Sequence, residues 1–188
     1  MYNLFFKRLI DITASIGVII ILSWILIIIA LIIKLQDGGA VFFIQKRIGK
    51  NKKEFSILKF RSMPVNTANV SSDQSNLIKI TPFGKFIRRT NMDELPQLFN
   101  ILKGDMSLIG PRPSLPNQIE LIELRSVNGS YNCRPGLTGL AQVNSYDYMS
   151  VKEKANFDGI YSKNISFISD LKIVLQTLKY LTKEPPVY

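Results

Sequence analysis

Near the middle of the chain stands NMDELPQLFNILKGDMSLIGPRP (91–113), in which Asp93 and Glu94 are adjacent carboxylates just ahead of an apolar run. Two such carboxylates can divide a reaction between them. One attacks phosphorus to form an acyl phosphate, and the other holds Mg²⁺ through oxygen. Basic residues stand beside glycines and prolines in other segments: Lys59 and Arg61 in KFRSM, Arg88-Arg89, Arg112 in GPRP and Arg134 in CRPG. Guanidinium groups suit bidentate recognition of phosphate, and prolines on both sides of Arg112 restrict its direction. A structural reading competes with this one. Asp93 could cap a helix while Glu94 favours its dipole, and each basic residue alone could be an ordinary surface partner.

Composition narrows the chemistry. The 188 residues carry 24 Lys and Arg against 14 Asp and Glu, a net charge of +10. That balance points to an anionic partner: nucleic acid, lipid headgroups or a phosphorylated substrate. The absence of His removes imidazole acid–base chemistry and His-ligated metals, and the single Cys133 excludes an internal disulfide and a Cys-rich zinc site. One cysteine also fits a reduced, cytosol-facing environment. No helix-turn-helix or RNA-binding signature is present, and the basic residues are dispersed along the chain, which argues against nucleic acid.

The elements that position these residues begin with an apolar run, LIDITASIGVIIILSWILIIIALII (9–33), whose one charge is Asp11. It is long enough for a membrane segment, too long for the apolar core of a typical signal peptide, and no small-x-small cleavage site follows. Lys7 and Arg8 precede it, and Lys34, Lys46, Arg47, Lys50, Lys52 and Lys53 follow, so the positive excess places the C-terminal part in the cytoplasm. A simple span would carry Lys7 and Arg8 across the bilayer. A helix that bends and returns would keep both flanks inside, and the Ser23 hydroxyl can bend a helix by bonding back to a carbonyl one turn earlier. Both topologies are open at this level.

Beyond Gly38, AVFFIQK (40–46) and EFSILKF (54–60) flank the turn-rich RIGKNKK, which predicts a β-hairpin with Arg47, Lys50, Lys52 and Lys53 at its tip. Residues 64–80 read as a surface loop and 82–90 as a short basic helix. Leu95, Leu98, Phe99 and Leu102 form a helical stripe ended by Lys103-Gly104. Pro96 fits only the first turn, so this helix is predicted to start between Asn91 and Asp93, with the two carboxylates among its free amides. In YNCRPGLTGLAQVN (131–144), Pro135, Gly136 and Gly139 predict turns that expose amides near Arg134, an arrangement suited to an anion. Helices are expected around 115–126, 151–162 and 170–183, the last capped by Ser169 with Leu171, Val174, Leu175, Leu178 and Leu181 on an apolar face for a core or a bilayer.

KFRSM (59–63), TPFGKFIRRTNMDELPQLFNILKGDMSLIGPRP (81–113) and RPGLTGLAQVN (134–144), in that order, closely resemble the bacterial sugar transferase family, the monotopic polyprenyl-phosphate phosphoglycosyl transferases. The match runs from about residue 3 to 182, and the length resembles the small form of the family. The resemblance implies an α+β, mostly helical fold. A re-entrant membrane helix-break-helix (1–36) would precede a membrane-associated catalytic domain (37–188) with a β-hairpin and amphipathic surface helices. It also implies transfer of a sugar-1-phosphate from a UDP-sugar to undecaprenyl phosphate with release of UMP, on the cytoplasmic face of the bacterial inner membrane. By the family pattern Asp93 is the nucleophile, forming a phosphosugar-enzyme intermediate, and Glu94, with Asp93, holds Mg²⁺. Lys59, Arg88, Arg112 and Arg134 are candidate phosphate or nucleotide contacts. The implied partners are the two substrates and membrane lipid, without nucleic acid; a homodimer is an open alternative. The family commonly breaks its membrane helix at Ser-Pro, where this chain has Ser23-Trp24. Sugar specificity is expected in 64–80 and 144–150, where Tyr146 and Tyr148 are either sugar-facing aromatics or ordinary loop tyrosines. A rival reading is a membrane-anchored scaffold that keeps the fold without the activity.

Overall fold

The computed structural model describes residues 2–65, 80–144 and 148–181. Tyr146 and nearly all of the 64–80 loop lie outside them. The fold is a mostly helical α+β arrangement with two small sheets. A π-helical turn at Tyr2–Phe6 leads into helix α1 (Lys7–Asp37), followed by the antiparallel hairpin β1 (Phe42–Ile48) and β2 (Glu54–Phe60). Then come α2 (Pro82–Arg89), a 3₁₀ turn at Met92–Glu94, α3 (Gln97–Lys103), β3 (Ser107–Ile109), α4 (Ile119–Asn128), β4 (Gly136–Thr138), α5 (Leu140–Val143), α6 (Val151–Lys163) and α7 (Phe167–Leu181).

Helix α1 is long and apolar enough to cross a membrane. It is one continuous α-helix through Ser23, so the expected separation into two helical segments is not seen there. The physical reason is local. Ser23 donates to the Ile20 carbonyl at 2.9 Å, a bond back into its own helix, and Trp24 keeps the backbone N–H that a proline would have removed.

One face of α1 meets the rest of the protein from end to end. At its start the Lys7 ammonium pairs with Asp170 of α7 at 2.6 Å. Arg8 donates to the Ile101 and Leu102 carbonyls at the end of α3, and Asp11 accepts from the Ser107 hydroxyl and the Leu108 amide. Farther along, Val18 and Ile19 pack on a core of Phe55, Ile57, Leu98, Ile101 and Met106. Ile29 and Ile33 join Phe60 and Ile87 in a second core. At its end Asp37 pairs with Arg61. The opposite face leaves Ile20, Ile21, Trp24 and Ile27 60–70 % exposed.

The hairpin forms as expected, two residues later on its first strand, but Arg47 is not at its tip. It pairs with Phe55 in the ladder, and its guanidinium donates to the Pro113 carbonyl at 3.1 Å. The tip itself is Lys50–Lys52, with Asn51 and Lys52 at positive φ. β3 and β4 form a parallel pair that the sequence does not predict, since the segment of β4 reads as turns. Three-residue strands carry too little alternation to be recognised. Their glycines allow close approach: a Cβ on Gly139 would lie 2.0 Å from the Gly110 carbonyl oxygen, and one on Gly136 2.1 Å from the Gly110 nitrogen.

α7 begins at Phe167, not near residue 170, and the cap is Ser166, whose hydroxyl accepts from the Ser169 amide. It packs inward through Asp170, Ile173 and Thr177, which bond to or pack against β3, β4 and α6. The leucine face read from the sequence therefore points outward, with Leu171, Leu175 and Leu178 46–59 % exposed.

Candidate active site

The acidic pair sits in a turn, not in the first turn of an α-helix. Asn91 adopts a left-handed conformation (φ 54°) after α2 and reverses the chain into the Met92–Glu94 turn. Asn tolerates this region better than most residues because its short amide bonds locally. Pro96 has no N–H to continue an i→i−4 ladder, so the Leu95 amide bonds to Met92 and the α-helix starts only at Gln97. Asp93 makes no cap hydrogen bond, and the expectation that it caps the helix is corrected.

Three segments converge on this turn. Lys59 from β2 reaches the Glu94 carboxylate at 2.6 Å, and Arg112 from the GPRP loop reaches the same oxygen, Oε1, at 3.1 Å. Arg88, in the last turn of α2, donates to the Ser62 hydroxyl at 2.8 Å and lies close enough to act on Asp93 electrostatically. Burial alone would push the Glu94 carboxyl up, but Lys59 and Arg112 outweigh it and hold the group far below the ordinary carboxylate range. Asp93 is 8 % exposed, and no side chain or amide among the described residues donates to its carboxylate. Burial pushes its pKa up to about 6, with the Glu94 charge adding to the rise and Lys59, Arg88 and Arg112 opposing it.

The two carboxylates are thus separated by environment. Glu94 is a permanently ionised anchor that fixes two cations. Asp93 is an unengaged, relatively basic carboxylate within their field. A small concavity opens beside Glu94, lined by Arg47, Ile57, Lys59, Gln97, Arg112 and Pro113. The GPRP loop is held from behind. Arg125 donates to the Arg112 carbonyl at 2.8 Å while its other nitrogens bond Asp158, and this ion pair is 1 % exposed on both sides.

Of the residues singled out in the sequence, the fold brings Lys59, Arg88, Asp93, Glu94 and Arg112 together. Arg134 is elsewhere: its Nε donates to the Gly104 carbonyl at the opposite end of α3. The amide expected to greet an anion there is engaged too, since Gly136 donates to the Pro111 carbonyl. Arg61 serves Asp37. Tyr148 is 84 % exposed. The sequence reading missed Arg47 and Gln97 in the site, and the Arg125–Asp158 pair behind it. Gln97, three residues after Glu94 and so beside it on a helical surface, carried the one usable signal.

The family model of the bacterial sugar transferases matches residues 2–184. The chain belongs to the bacterial sugar transferase family. It is 38 % identical over 173 residues to the uncharacterized sugar transferase EpsL of Bacillus subtilis, covering 92 % of this chain and 85 % of that protein. It is 41 % identical over 187 residues to a UDP-glucose:undecaprenyl-phosphate glucose-1-phosphate transferase of Klebsiella pneumoniae, covering 94 % of this chain and 40 % of that protein. A UDP-N-acetylgalactosamine-undecaprenyl-phosphate N-acetylgalactosaminephosphotransferase of Aeromonas hydrophila is 40 % identical over 182 residues, with 93 % and 43 % covered. The chain therefore spans about two-fifths of the length of several relatives it matches.

Proposed function

We propose that this sugar transferase moves a sugar-1-phosphate from a UDP-sugar to undecaprenyl phosphate, giving undecaprenyl-diphosphate-sugar and UMP. The observation that carries the reading is the division of labour in the dyad: Glu94 takes the hydrogen bonds of Lys59 and Arg112, and Asp93 is left without a donor in their field. Names of relatives that act on undecaprenyl phosphate support the substrate class.

In the first half-reaction an Asp93 carboxylate oxygen attacks the β-phosphorus. The new O–P bond forms as the anhydride bond to the α-phosphate breaks, and UMP leaves with that electron pair. Arg88, Lys59 and Arg112 supply positive charge where the phosphoryl oxygens gather it. In the second half-reaction the undecaprenyl phosphate oxygen attacks the same phosphorus, and the Asp93 carboxylate is regenerated. Two adjacent hard carboxylates suit Mg²⁺, a cation that completes its shell with water and substrate phosphate. Asp93 and Glu94 would hold it, and when bound it would offset charge on the phosphates.

We further assign a monotopic placement on the cytoplasmic face of the inner membrane. Both ends of α1 are tied to one polar domain, by Lys7–Asp170 and by Asp37–Arg61, which supports a helix whose two ends stay on the same side of the bilayer. The exposed apolar faces of α1 and α7, with Phe86 of α2, are the surfaces for lipid. The deciding experiment for the reaction is UMP release from a panel of UDP-sugars with undecaprenyl phosphate and Mg²⁺. The wild type releases UMP and accumulates a phosphosugar on the protein when the acceptor is omitted; Asp93→Asn does neither. Full turnover by a folded Asp93→Asn protein removes Asp93 as nucleophile.

A further inference from the structure

Gln97, the first residue of α3, is 2 % exposed, and its side-chain amide nitrogen is buried without a hydrogen-bond partner. Buried amide donors in folded proteins are nearly always satisfied, because an unmade bond destabilises the native state. Its neighbours show what would satisfy it. Gln97 lines the concavity beside Glu94, whose walls also hold Arg47, Lys59 and Arg112. Three cations against one carboxylate leave this cavity complementary to an anion. The next polar side chain on the helix, Asn100, is by contrast fully used, bonding the Ser56 carbonyl and the Leu58 amide of β2.

We infer that the Gln97 carboxamide is a substrate-binding group that donates its N–H to a phosphoryl oxygen held in this cavity. The inference rests on the phosphoryl-transfer reading above and adds to it a neutral donor that orients the phosphate where Lys59 and Arg112 supply charge. Such a donor is geometrically selective, whereas an ammonium accepts oxygen from many directions. Two phosphates could supply the oxygen, that of the sugar nucleotide or that of the lipid acceptor, and they are separable because the two half-reactions are.

Gln97→Met keeps length and burial while removing the donor. The full chain in detergent micelles should melt at or above the wild-type temperature, since no protein bond is lost, and kcat/KM should fall about 10- to 100-fold, the effect of one hydrogen bond to a charged group. Calorimetric titration with UDP identifies the source. Weaker UDP binding and a slower acceptor-free UMP burst assign the oxygen to the nucleotide. Unchanged UDP binding with a raised KM for undecaprenyl phosphate assigns it to the acceptor. Gln97→Glu, which sets a negative charge against the phosphate, should be more impaired than Gln97→Met. Wild-type kinetics in Gln97→Met overturn the inference, and so does an activity loss accompanied by a lowered melting temperature, because that is how a structural amide behaves. A wild-type protein that releases no UMP strikes the reaction instead, and the UDP titration of the two proteins then decides the role of Gln97 alone.

Discussion

At the scale of single residues, the site sets one carboxylate against its neighbour. Glu94 is compensated by two cations, and Asp93 carries the uncompensated desolvation. The stability consequence has a definite sign. Asp93 binds its proton more tightly in the folded protein, with a pKa near 6 against an ordinary 3.8. Its protonated form therefore stabilises the fold fully below about pH 4, and that contribution is lost as pH rises through about 6. A shift of about two units corresponds to roughly 3 kcal/mol. In chelator-treated protein, Asp93→Asn should accordingly be more stable than wild type by up to about 3 kcal/mol at pH 7 and by little at pH 4, read by denaturant titration at both values. The opposite order would mean that the Asp93 charge holds the fold together. Lys59→Met tests the electrostatic half of the site: turnover should fall about 10²- to 10³-fold, the usual effect of removing one charge-stabilising donor.

At the scale of elements, the GPRP loop is positioned by two devices that lie behind it. One is the parallel β3–β4 pair, where glycine lets backbones touch. Gly139→Ala would drive a methyl into the Gly110 carbonyl, and we expect a loss of about 1–3 kcal/mol in thermal unfolding with a matching loss of turnover. The other is the buried Arg125–Asp158 pair, whose arginine also holds the Arg112 carbonyl. Asp158→Ala leaves that guanidinium buried and unpaired, which should cost about 3–5 kcal/mol. Asp158→Asn, which keeps a hydrogen-bond acceptor, should lose less; equal losses would show that charge, not acceptor geometry, holds the loop.

At the scale of the whole molecule, the unusual feature is a 31-residue apolar helix that one domain grips along its full length. A bilayer-spanning helix needs about 20 residues surrounded by lipid or by other spans. Here polar contacts occupy both ends and the remaining apolar face is exposed. Tags at residue 1 and residue 188 should both report from the cytoplasm in accessibility labelling of intact cells; a periplasmic residue 1 would show a true span. Because Arg8 and Asp11 hold the end of α3 and the start of β3, the same helix that anchors the protein also braces the elements that carry the dyad and Arg112.

Local chemistry in the chain determined a good part of this. The apolar run, the hairpin, the short basic helix at Pro82–Arg89, and the company of Asp93 and Glu94 with Lys59, Arg88 and Arg112 were all legible, because periodicity, turn residues and the DELPQL, GPRP and RPGLTGL motifs are properties of neighbours in sequence. What the tertiary structure alone decided depends on contacts between distant segments. Arg134 carries the same motif signal as Arg112, yet packing sends it to the far end of α3, and Arg47 leaves the hairpin tip for the concavity beside Glu94. The leucine stripe of α7 reads equally as a face for a core or for a bilayer, and Asp170, drawn inward by Lys7 and Tyr161, turns the stripe outward. The different states of two adjacent carboxylates also follow from three-dimensional neighbours, since desolvation and Coulomb fields act through space and not along the chain.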